Sequence, residues 1–126
     1  MKKLSIITPC YNEEVNVEIC AQELKKVMQE KLSGYDYEHI FADNASTDST
    51  LEKLREIARK DAHLKVISNS RNVGPFRNMW NAMKSATGDA IVPLLPADLQ
   101  DPPTVIPELV KNWEDGFLVT YGVRAN

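Results

Sequence analysis

The stretch LSIITPCYNEE, residues 4–14, changes from apolar to polar within a few positions. Its first part, Leu4 to Thr8, is an apolar run of strand length. The next segment, Val15 to Lys31, carries apolar side chains at three- and four-residue intervals, which is the spacing of one helix face. That stripe consists of Val17, Cys20, Ala21, Leu24, Val27 and Met28. A buried strand followed by a polar loop and an amphipathic helix predicts the first half of a βαβ unit.

The alternation of short apolar runs and helical patterns continues along the chain. Further strands are predicted over His39–Ala42, Leu64–Ser68, Ala90–Leu95 and Phe117–Tyr121. Helices are predicted around Leu51, Leu54, Ile57 and Ala58 (with Asp48 or Ser49 as its cap), over Phe76–Ser85, and from Pro102–Pro103 to about Glu114. Pro93 weakens the fourth strand, because proline has no N–H to donate. The pattern predicts an α/β fold, a mainly parallel sheet of about five strands with helices on both faces.

Polar clusters follow the predicted strands at their carboxyl ends. These clusters are residues 9–13 after the first strand, 43–48 after the second, 69–72 after the third and 98–101 after the fourth. The carboxyl ends of parallel strands lie along one edge of a sheet, and open α/β sheets bind ligands beyond that edge. We therefore expect four polar loops to form one rim, which is the candidate binding site.

Composition excludes several classes of function. The chain has 126 residues, which suits one domain, and a net charge of only −3, which argues against a general nucleic-acid or membrane-surface binder. No segment approaches the ~20 apolar residues of a membrane-spanning helix, and the N-terminus lacks the pattern of a signal peptide. Cys10 and Cys20 fit neither a redox pair nor a zinc site, which favours free thiols in a reducing compartment. The glycine-rich fingerprints of dinucleotide- and nucleoside-triphosphate-binding loops are absent.

The predicted rim is rich in carboxylates. Its acidic residues are Glu13, Asp43, Asp48, Asp98 and Asp101. Carboxylates would hold a hard divalent cation such as Mg²⁺ or Mn²⁺, or would accept hydrogen bonds from a base or from sugar hydroxyls. The alternative is that they cap helices and form turns on a solvated rim. His39 and His63 are expected to be ordinary structural or surface histidines.

The motifs on this rim resemble those of a known enzyme family. The series P-x-Y-N-E, D-N-A-S-T-D, R-N-x-G and A-D-L-Q-D-P-P, which spans Pro9 to Pro103, is similar to the family 2 glycosyltransferases with the GT-A fold. The last motif is most similar to that of the dolichyl- and undecaprenyl-phosphate sugar transferases. The resemblance implies that residues 1–126 are the Rossmann-like, nucleotide-sugar-binding N-terminal part of a GT-A domain. It also implies transfer of a sugar, with inversion, from a UDP-, GDP- or dTDP-sugar to an acceptor, either a polyprenyl phosphate or a saccharide.

The resemblance assigns roles to individual positions. It places Thr8, Pro9, Tyr11 and Glu13 around the nucleoside, with Tyr11 against the base. It has Asp43 accept a hydrogen bond from the base, and it places Arg71 near the nucleotide. Asp98 corresponds to the last aspartate of the family's D-x-D metal motif, and Gln100 to a further ligand of the Mg²⁺ or Mn²⁺ ion.

Two departures from the family pattern affect these expectations. The first aspartate of the D-x-D motif is replaced by Pro96, so one carboxylate is missing. Family members also continue well past this length, and the resemblance places the catalytic base and the acceptor site beyond Asn126. The 126 residues are therefore expected to be inactive alone, and to self-associate through surfaces that the second half would cover. The resemblance implies a cytoplasmic location, at the inner face of the membrane in the full-length protein.

Two other functions compete with the glycosyltransferase interpretation. A catalytically silent module that binds a nucleotide or a partner is favoured by Pro96. A phosphorylated receiver domain would need an acidic pair after the first strand and a phosphoacceptor aspartate after the third. The sequence has Asn12-Glu13 and Asn69-Ser70 at those places, which argues against the receiver.

Overall fold

The computed structural model describes residues 1–123 and 125 of the chain. Its strands are β1 (Lys3–Cys10), β2 (Asp36–Asp43), β3 (Leu64–Ser68) and β4 (Ala90–Val92). Its helices are α1 (Val17–Lys31), α2 (Thr50–Lys60), α3 (Pro75–Met83) and α4 (Ile106–Glu114), and a short 3₁₀ turn, Pro103–Val105, leads into α4. No helix of the described residues combines the length and hydropathy needed to cross a bilayer.

All four strands are parallel, in the spatial order β3-β2-β1-β4. The register pairs Cys10 of β1 with Asp43 of β2, so the carboxyl ends of the two central strands are level. Strand order reverses at β1, because the chain first builds outward through β2 and β3 and then returns to the other side with β4. That reversal is where open α/β sheets form a crevice. The predicted parallel α/β architecture is confirmed.

Helices cover both faces of the sheet, as the sequence predicts. The larger core joins β1 and β2 side chains such as Leu4, Ile6 and Phe41 to α1, α2 and α4. The opposite face packs Ile7 and Ile40, among others, against α3. Successive residues of a strand point to opposite faces, so Ile6 and Ile7 belong to different cores. The apolar runs of β1 and β2 are continuous because both of their sides are buried.

Strand β4 is shorter than the predicted Ala90–Leu95. Its ladder ends at Val92 because Pro93 cannot donate to β1. The chain nevertheless stays beside β1, since the N–H of Leu95 donates to the carbonyl of Ile7 at 2.8 Å. This second attachment fixes the segment that carries Asp98 against the end of β1.

The predicted fifth strand, Phe117–Tyr121, is wrong. The segment is irregular, and Phe117, Leu118, Val119 and Tyr121 are exposed. Strand propensity alone does not form a strand, because an extended segment must bond to a neighbouring strand and to a packed face. Smaller differences concern ends: β2 begins at Asp36 instead of His39, and α1 begins at Val17 instead of Val15.

Among the described residues no strand pairs with the outer side of β4, and an apolar groove of about 460 Å³ lies beside that edge. Leu109, Trp113, Phe117 and Leu118 line that groove. Unpaired strand edges next to apolar surface favour association. We therefore expect the 126-residue chain to form dimers or larger species at high concentration, as measured by light scattering. Replacing Phe117 and Leu118 by serine should shift it toward monomer, and a wild-type chain that stays monomeric would disprove the expectation.

Candidate functional site

The polar loops that follow β1, β2 and β4 lie side by side at the carboxyl edge of the sheet. The loop after β1 is central, with the loop after β2 on one side and residues 96–101 after β4 on the other. The loop after β3 lies beyond that of β2, and the N–H of Asn69 donates to the carbonyl of Asp43 at 2.9 Å. The predicted rim is therefore present, in the order that the strands impose.

Asp43 is buried, with only 1% of its surface exposed. Its Oδ1 accepts the hydroxyl proton of Ser46 at 2.5 Å, and its Oδ2 accepts the N–H of Ser46 at 3.3 Å. The turn between these residues places Ala45 at φ 61°, a left-handed conformation that is unusual for alanine. Each carboxylate oxygen can accept more than one hydrogen bond, so Oδ2 keeps capacity for a further donor. A ligand would reach it only by displacing part of the loop above it.

Asn12, to which the resemblance assigns no role, joins the loops after β1 and β2. Its Oδ1 accepts the N–H of Thr47 at 2.9 Å, and its own N–H donates to the hydroxyl of Ser46 at 2.9 Å. It also has φ 52°, which asparagine tolerates better than most residues. Ser46 thus contacts Asn12 and Asp43 together. A signal was available in the sequence, since asparagine in a loop that follows a strand is suited to a left-handed turn in which its side chain bonds to backbone.

A second asparagine network fixes the loop that carries Arg71. Asn44 Oδ1 accepts the N–H of Val73 at 3.0 Å and the amide of Asn69 at 3.1 Å. Asn69 also bonds to Asn78 of α3 at 2.9 Å. The loop is therefore held to the end of β2, while the Arg71 side chain is exposed and lines a groove along α3. Arg71 is thus on the outer side of the rim, and is not gathered with the carboxylates.

The remaining residues predicted around the nucleoside differ in accessibility. Tyr11 is 46% exposed at the end of β1, and Pro9 and Glu13 are half-buried. Glu13 is held by its neighbours, since its Oε2 accepts the amide of Asn16 at 2.7 Å and its N–H donates to Thr50 at 2.9 Å. At the crevice Tyr11 therefore presents an exposed ring, and Glu13 presents a carboxylate that its neighbours hold in place.

Thr8 does not reach the rim. It is fully buried, and its hydroxyl is 2.7 Å from Nε2 of His39. Burial lowers the pKa of His39 to about 3, so this histidine is neutral and structural, as predicted. His63 is also structural, since it stacks on Tyr37 with ring centroids 4.2 Å apart and pairs with Asp61 at 2.9 Å. A side-chain contact from Thr8 to a nucleoside is incompatible with this position.

Asp98 is exposed on a tight turn beyond β4. The turn closes with a hydrogen bond from the N–H of Leu99 to the carbonyl of Pro96 at 3.1 Å. Leu99 has φ 59°, a strained conformation for a bulky side chain, and it packs against the core. The N–H of Gln100 donates to Asp98 Oδ1 at 3.2 Å. This strained turn orients Asp98 and Gln100 together toward solvent.

Two buried cysteines lie beside the loops of the rim. Cys10 and Cys20 are free thiols, as their spacing predicts. Burial raises the pKa of Cys20 to about 11, against a hydrogen bond with Thr8, and the negative charges of Glu13 and Asp98 raise it further. Burial also raises the pKa of Cys10, and the negative charges of Asp43 and Glu13 raise it further. Both thiols are therefore protonated at neutral pH.

Within residues 1–123 and 125, no three histidine, cysteine or carboxylate side chains are arranged to hold a metal by themselves. Asp98 and the amide oxygen of Gln100 are suitable hard ligands, but they fill only part of the coordination that Mg²⁺ or Mn²⁺ needs. The donor set therefore fits a cation that takes its other ligands from a bound diphosphate and water.

No residue of the described rim has been assigned the role of catalytic base. The resemblance places it beyond Asn126, and Asn126 itself lies outside the residues that the structure describes. The position of the base therefore stays a prediction. What the described rim offers is a set of groups that can bind a nucleotide and a cation.

The chain was compared with known sequences. The family model for "Glycosyl transferase family 2" matches residues 5–126. A glycosyltransferase of Bacillus subtilis, YkcC, is 41% identical over 95% of this chain and 36% of its own length. Dolichol-phosphate mannosyltransferase of Pyrococcus furiosus is 37% identical over 97% of this chain and 33% of its own. Undecaprenyl-phosphate 4-deoxy-4-formamido-L-arabinose transferase of Yersinia enterocolitica is 35% identical over 100% of this chain and 38% of its own.

Solved structures show the same architecture. The mannosyltransferase PcManGT of Pyrobaculum calidifontis, in complex with GDP-Man and Mn²⁺, superposes with a TM-score of 0.72 at 24% identity, over 86% of this chain and 31% of that one. S. aureus TarS 1-349 with UDP-GlcNAc gives a TM-score of 0.71 at 26% identity, over 90% and 31%. This chain spans about a third of the length of the proteins it matches. With its parallel sheet, its carboxylate rim and a family match over nearly all its residues, the chain belongs to glycosyl transferase family 2 and has the fold of GT-A glycosyltransferases.

Proposed function

We propose that the protein transfers a sugar from a nucleotide diphosphate sugar to an acceptor, and that residues 1–126 bind the nucleotide part of the donor. The observation that carries this proposal is that Glu13, Asp43 and Asp98 lie on three adjacent loops at the point where strand order reverses. An anionic donor would be repelled by three carboxylates unless they bind its base, its hydroxyls or a metal on its diphosphate. Family membership gives the arrangement its chemical context.

In this proposal each rim residue has one task, and Asp43 becomes accessible when the Ser46 turn above it moves aside. Asp43 accepts an N–H of the nucleotide's base, and Tyr11 packs on the ring of that base. Glu13 fixes the start of α1 beside the nucleoside. Asp98 and Gln100 hold Mg²⁺ or Mn²⁺, which neutralises the charge of the departing diphosphate. Reaction with inversion needs a base to deprotonate the acceptor, and the proposal places that base beyond residue 126.

The acceptor in this proposal is a polyprenyl phosphate. The names of two matched relatives specify dolichol phosphate and undecaprenyl phosphate as acceptors. Such a lipid resides in a bilayer, so the whole protein would act at the inner face of a membrane. A saccharide acceptor is the alternative. A sugar-transfer assay of the full-length protein, with each acceptor in turn, distinguishes the two.

A catalytically silent binding module is the second candidate, because Pro96 removes one carboxylate from the metal motif. Calorimetric titration of the 126-residue chain with UDP, GDP and dTDP, each with and without Mn²⁺, tests the main proposal. Binding of one nucleotide, strengthened by Mn²⁺, is the expected result and identifies the donor class. Binding that does not depend on Mn²⁺ favours the silent module. If no nucleotide binds, the main proposal is refuted and a silent module that binds a partner is favoured.

Asp43→Ala is expected to weaken nucleotide binding about tenfold or more. A hydrogen bond to a charged group is worth roughly 1.5–3 kcal/mol, and tenfold corresponds to about 1.4 kcal/mol. Calorimetry with the preferred nucleotide measures the loss. Because Asp43 also holds Ser46, Ser46→Ala serves as the control for loop structure and should cost less than Asp43→Ala. Asp36→Ala, at the other end of the same strand, should have no effect. If Asp43→Ala and Ser46→Ala lose the same amount of nucleotide affinity, Asp43 only stabilises the turn and does not bind the base.

A further inference from the structure

The small net charge of the chain conceals a strongly basic segment. Residues 62–88 contain no aspartate or glutamate, but they contain Lys65, Arg71, Arg77 and Lys84. The rest of the chain carries eleven cations and all 18 acidic residues. The positive charge therefore belongs to one continuous part of the fold, β3 and α3 with the loop between them.

Helix α3 presents two aromatic rings to solvent beside these cations. Phe76 is 80% exposed and Trp80 is 60% exposed, whereas Asn78 and Ala82 are buried against the sheet. At ~100° per residue, Phe76, Trp80, Lys84 and Arg77 fall within an arc of about 100° on the side away from the sheet. Lys84 is the residue directly after α3 and keeps a helical backbone conformation. We call these four residues the α3 outer face.

The loop before α3 extends this face. Arg71, Arg77, Trp80 and Lys84 line one groove of about 630 Å³, whose lining contains no acidic residue. Glu38, on the same side of the sheet, is buried and ion-paired with Lys65 and Lys3, so its charge is already compensated. The groove begins at the carboxyl end of β3, at the same sheet edge as Asp43.

We propose that the α3 outer face is a docking surface for a bilayer that contains anionic phospholipid. Two exposed aromatic rings four residues apart, flanked by cations, form the pattern with which a helix rests in the headgroup region. The groove offers three cations to lipid phosphates, and charge complementarity identifies the bilayer as its occupant. Docking through α3 would place the rim next to the membrane, where a lipid-linked acceptor resides. That consequence rests on the proposed function, whereas the binding itself does not.

Vesicle binding tests the inference without nucleotide. The 126-residue chain should cosediment with phosphatidylglycerol-containing vesicles and not with pure phosphatidylcholine vesicles, and about 0.5 M salt should release it. The double variant Arg77→Gln/Lys84→Gln should bind about tenfold or more weakly, since each cation near an anionic surface contributes roughly a further fivefold in affinity. The matched control Arg55→Gln/Arg59→Gln, on the exposed side of α2, should bind like the wild type.

Trp80 gives a second readout. In a Trp113→Phe background Trp80 is the remaining tryptophan, and its emission should shift to the blue on anionic vesicles. Phe76→Ser/Trp80→Ser should lose vesicle binding while its thermal unfolding and nucleotide titration match the parent, which separates this inference from the proposed function. Equal binding to both kinds of vesicle, or equal loss in the α2 control, overturns the proposal. So does self-association through α3 without vesicle binding.

Discussion

Glu38→Ala is expected to lower the free energy of unfolding by about 3 kcal/mol, measured by urea denaturation. The Glu38 carboxylate is 1% exposed and joins all parts of the sheet near the amino ends of its strands. Oε1 accepts the hydroxyl of Ser5 at 2.6 Å and the N–H of Thr87 at 2.7 Å, and Oε2 pairs with Lys65. Alanine would leave the buried hydroxyl of Ser5 without its acceptor, which costs more than the loss of the contact itself.

The backbone around Glu38 is tightly packed and leaves little room for rearrangement. The N–H of Gly88 donates to the Ser5 hydroxyl at 2.8 Å, and a Cβ on Gly88 would lie 2.7 Å from both the backbone nitrogen and the hydroxyl of Ser5. The chain is thus packed directly onto β1 where Glu38 bonds to it. Glu30→Ala, on the exposed side of α1, is the control and should change stability by less than about 0.5 kcal/mol. A loss below about 1 kcal/mol for Glu38→Ala would show that water replaces the carboxylate.

The same carboxylate predicts a pH dependence. Burial by itself would raise the pKa of Glu38, but hydrogen bonds from Lys65, Ser5 and Thr87 outweigh it and lower the pKa from 4.5 to about 2. The stabilisation is therefore complete above pH 4.5 and is lost as pH falls through about 2. His39 stays neutral in the fold, because its pKa there is about 3 and not 6.5, so the folded state also loses stability relative to the unfolded state as pH falls below 6.5. This loss is the same in every variant. The stability difference between wild type and Glu38→Gln should therefore shrink only below about pH 4.5.

Asp98→Asn is expected to remove the metal-dependent part of nucleotide binding and to leave the metal-free part unchanged. With Pro96 in place of a second carboxylate, a cation depends on Asp98, Gln100 and the diphosphate, so metal and nucleotide should bind together. Couplings of this kind amount to about 5- to 150-fold in affinity. Calorimetry with and without Mn²⁺ should show that gain in the wild type and none in Asp98→Asn.

Two further variants make the Asp98 experiment specific. Asp115→Asn, exposed after α4, should keep the full effect of Mn²⁺. Pro96→Asp should restore a pair of carboxylates and increase the affinity for Mn²⁺ in the absence of nucleotide. If the wild type already binds Mn²⁺ tightly without nucleotide, the site is complete despite Pro96 and the prediction is refuted.

The sequence by itself determined the parallel α/β architecture and the location of the rim. Strands show as short apolar or alternating runs, and helices show as apolar residues repeating at about 3.6 positions. Both patterns depend only on residues close together in the chain, so β1 to β4 and α1 to α4 were predictable. Parallel strands then bring the polar segments after them to one edge, whatever the details of packing. The failure at Phe117–Tyr121 has the opposite cause, because a strand exists only where a distant segment bonds to it.

Only the tertiary structure decided which polar side chains face the crevice and which serve the fold. Thr8 and Asp43 both lie near strand ends. The hydroxyl of Thr8 nevertheless bonds to His39, and the carboxylate of Asp43 is covered by the Ser46 turn. Glu38, which no motif marks, becomes a buried acceptor because β1, β3 and the segment before β4 meet around it. Its hydrogen bonds come from residues far away in the chain, such as Ser5 and Thr87. Their geometry follows from how the strands are ordered and packed, which local sequence patterns do not specify.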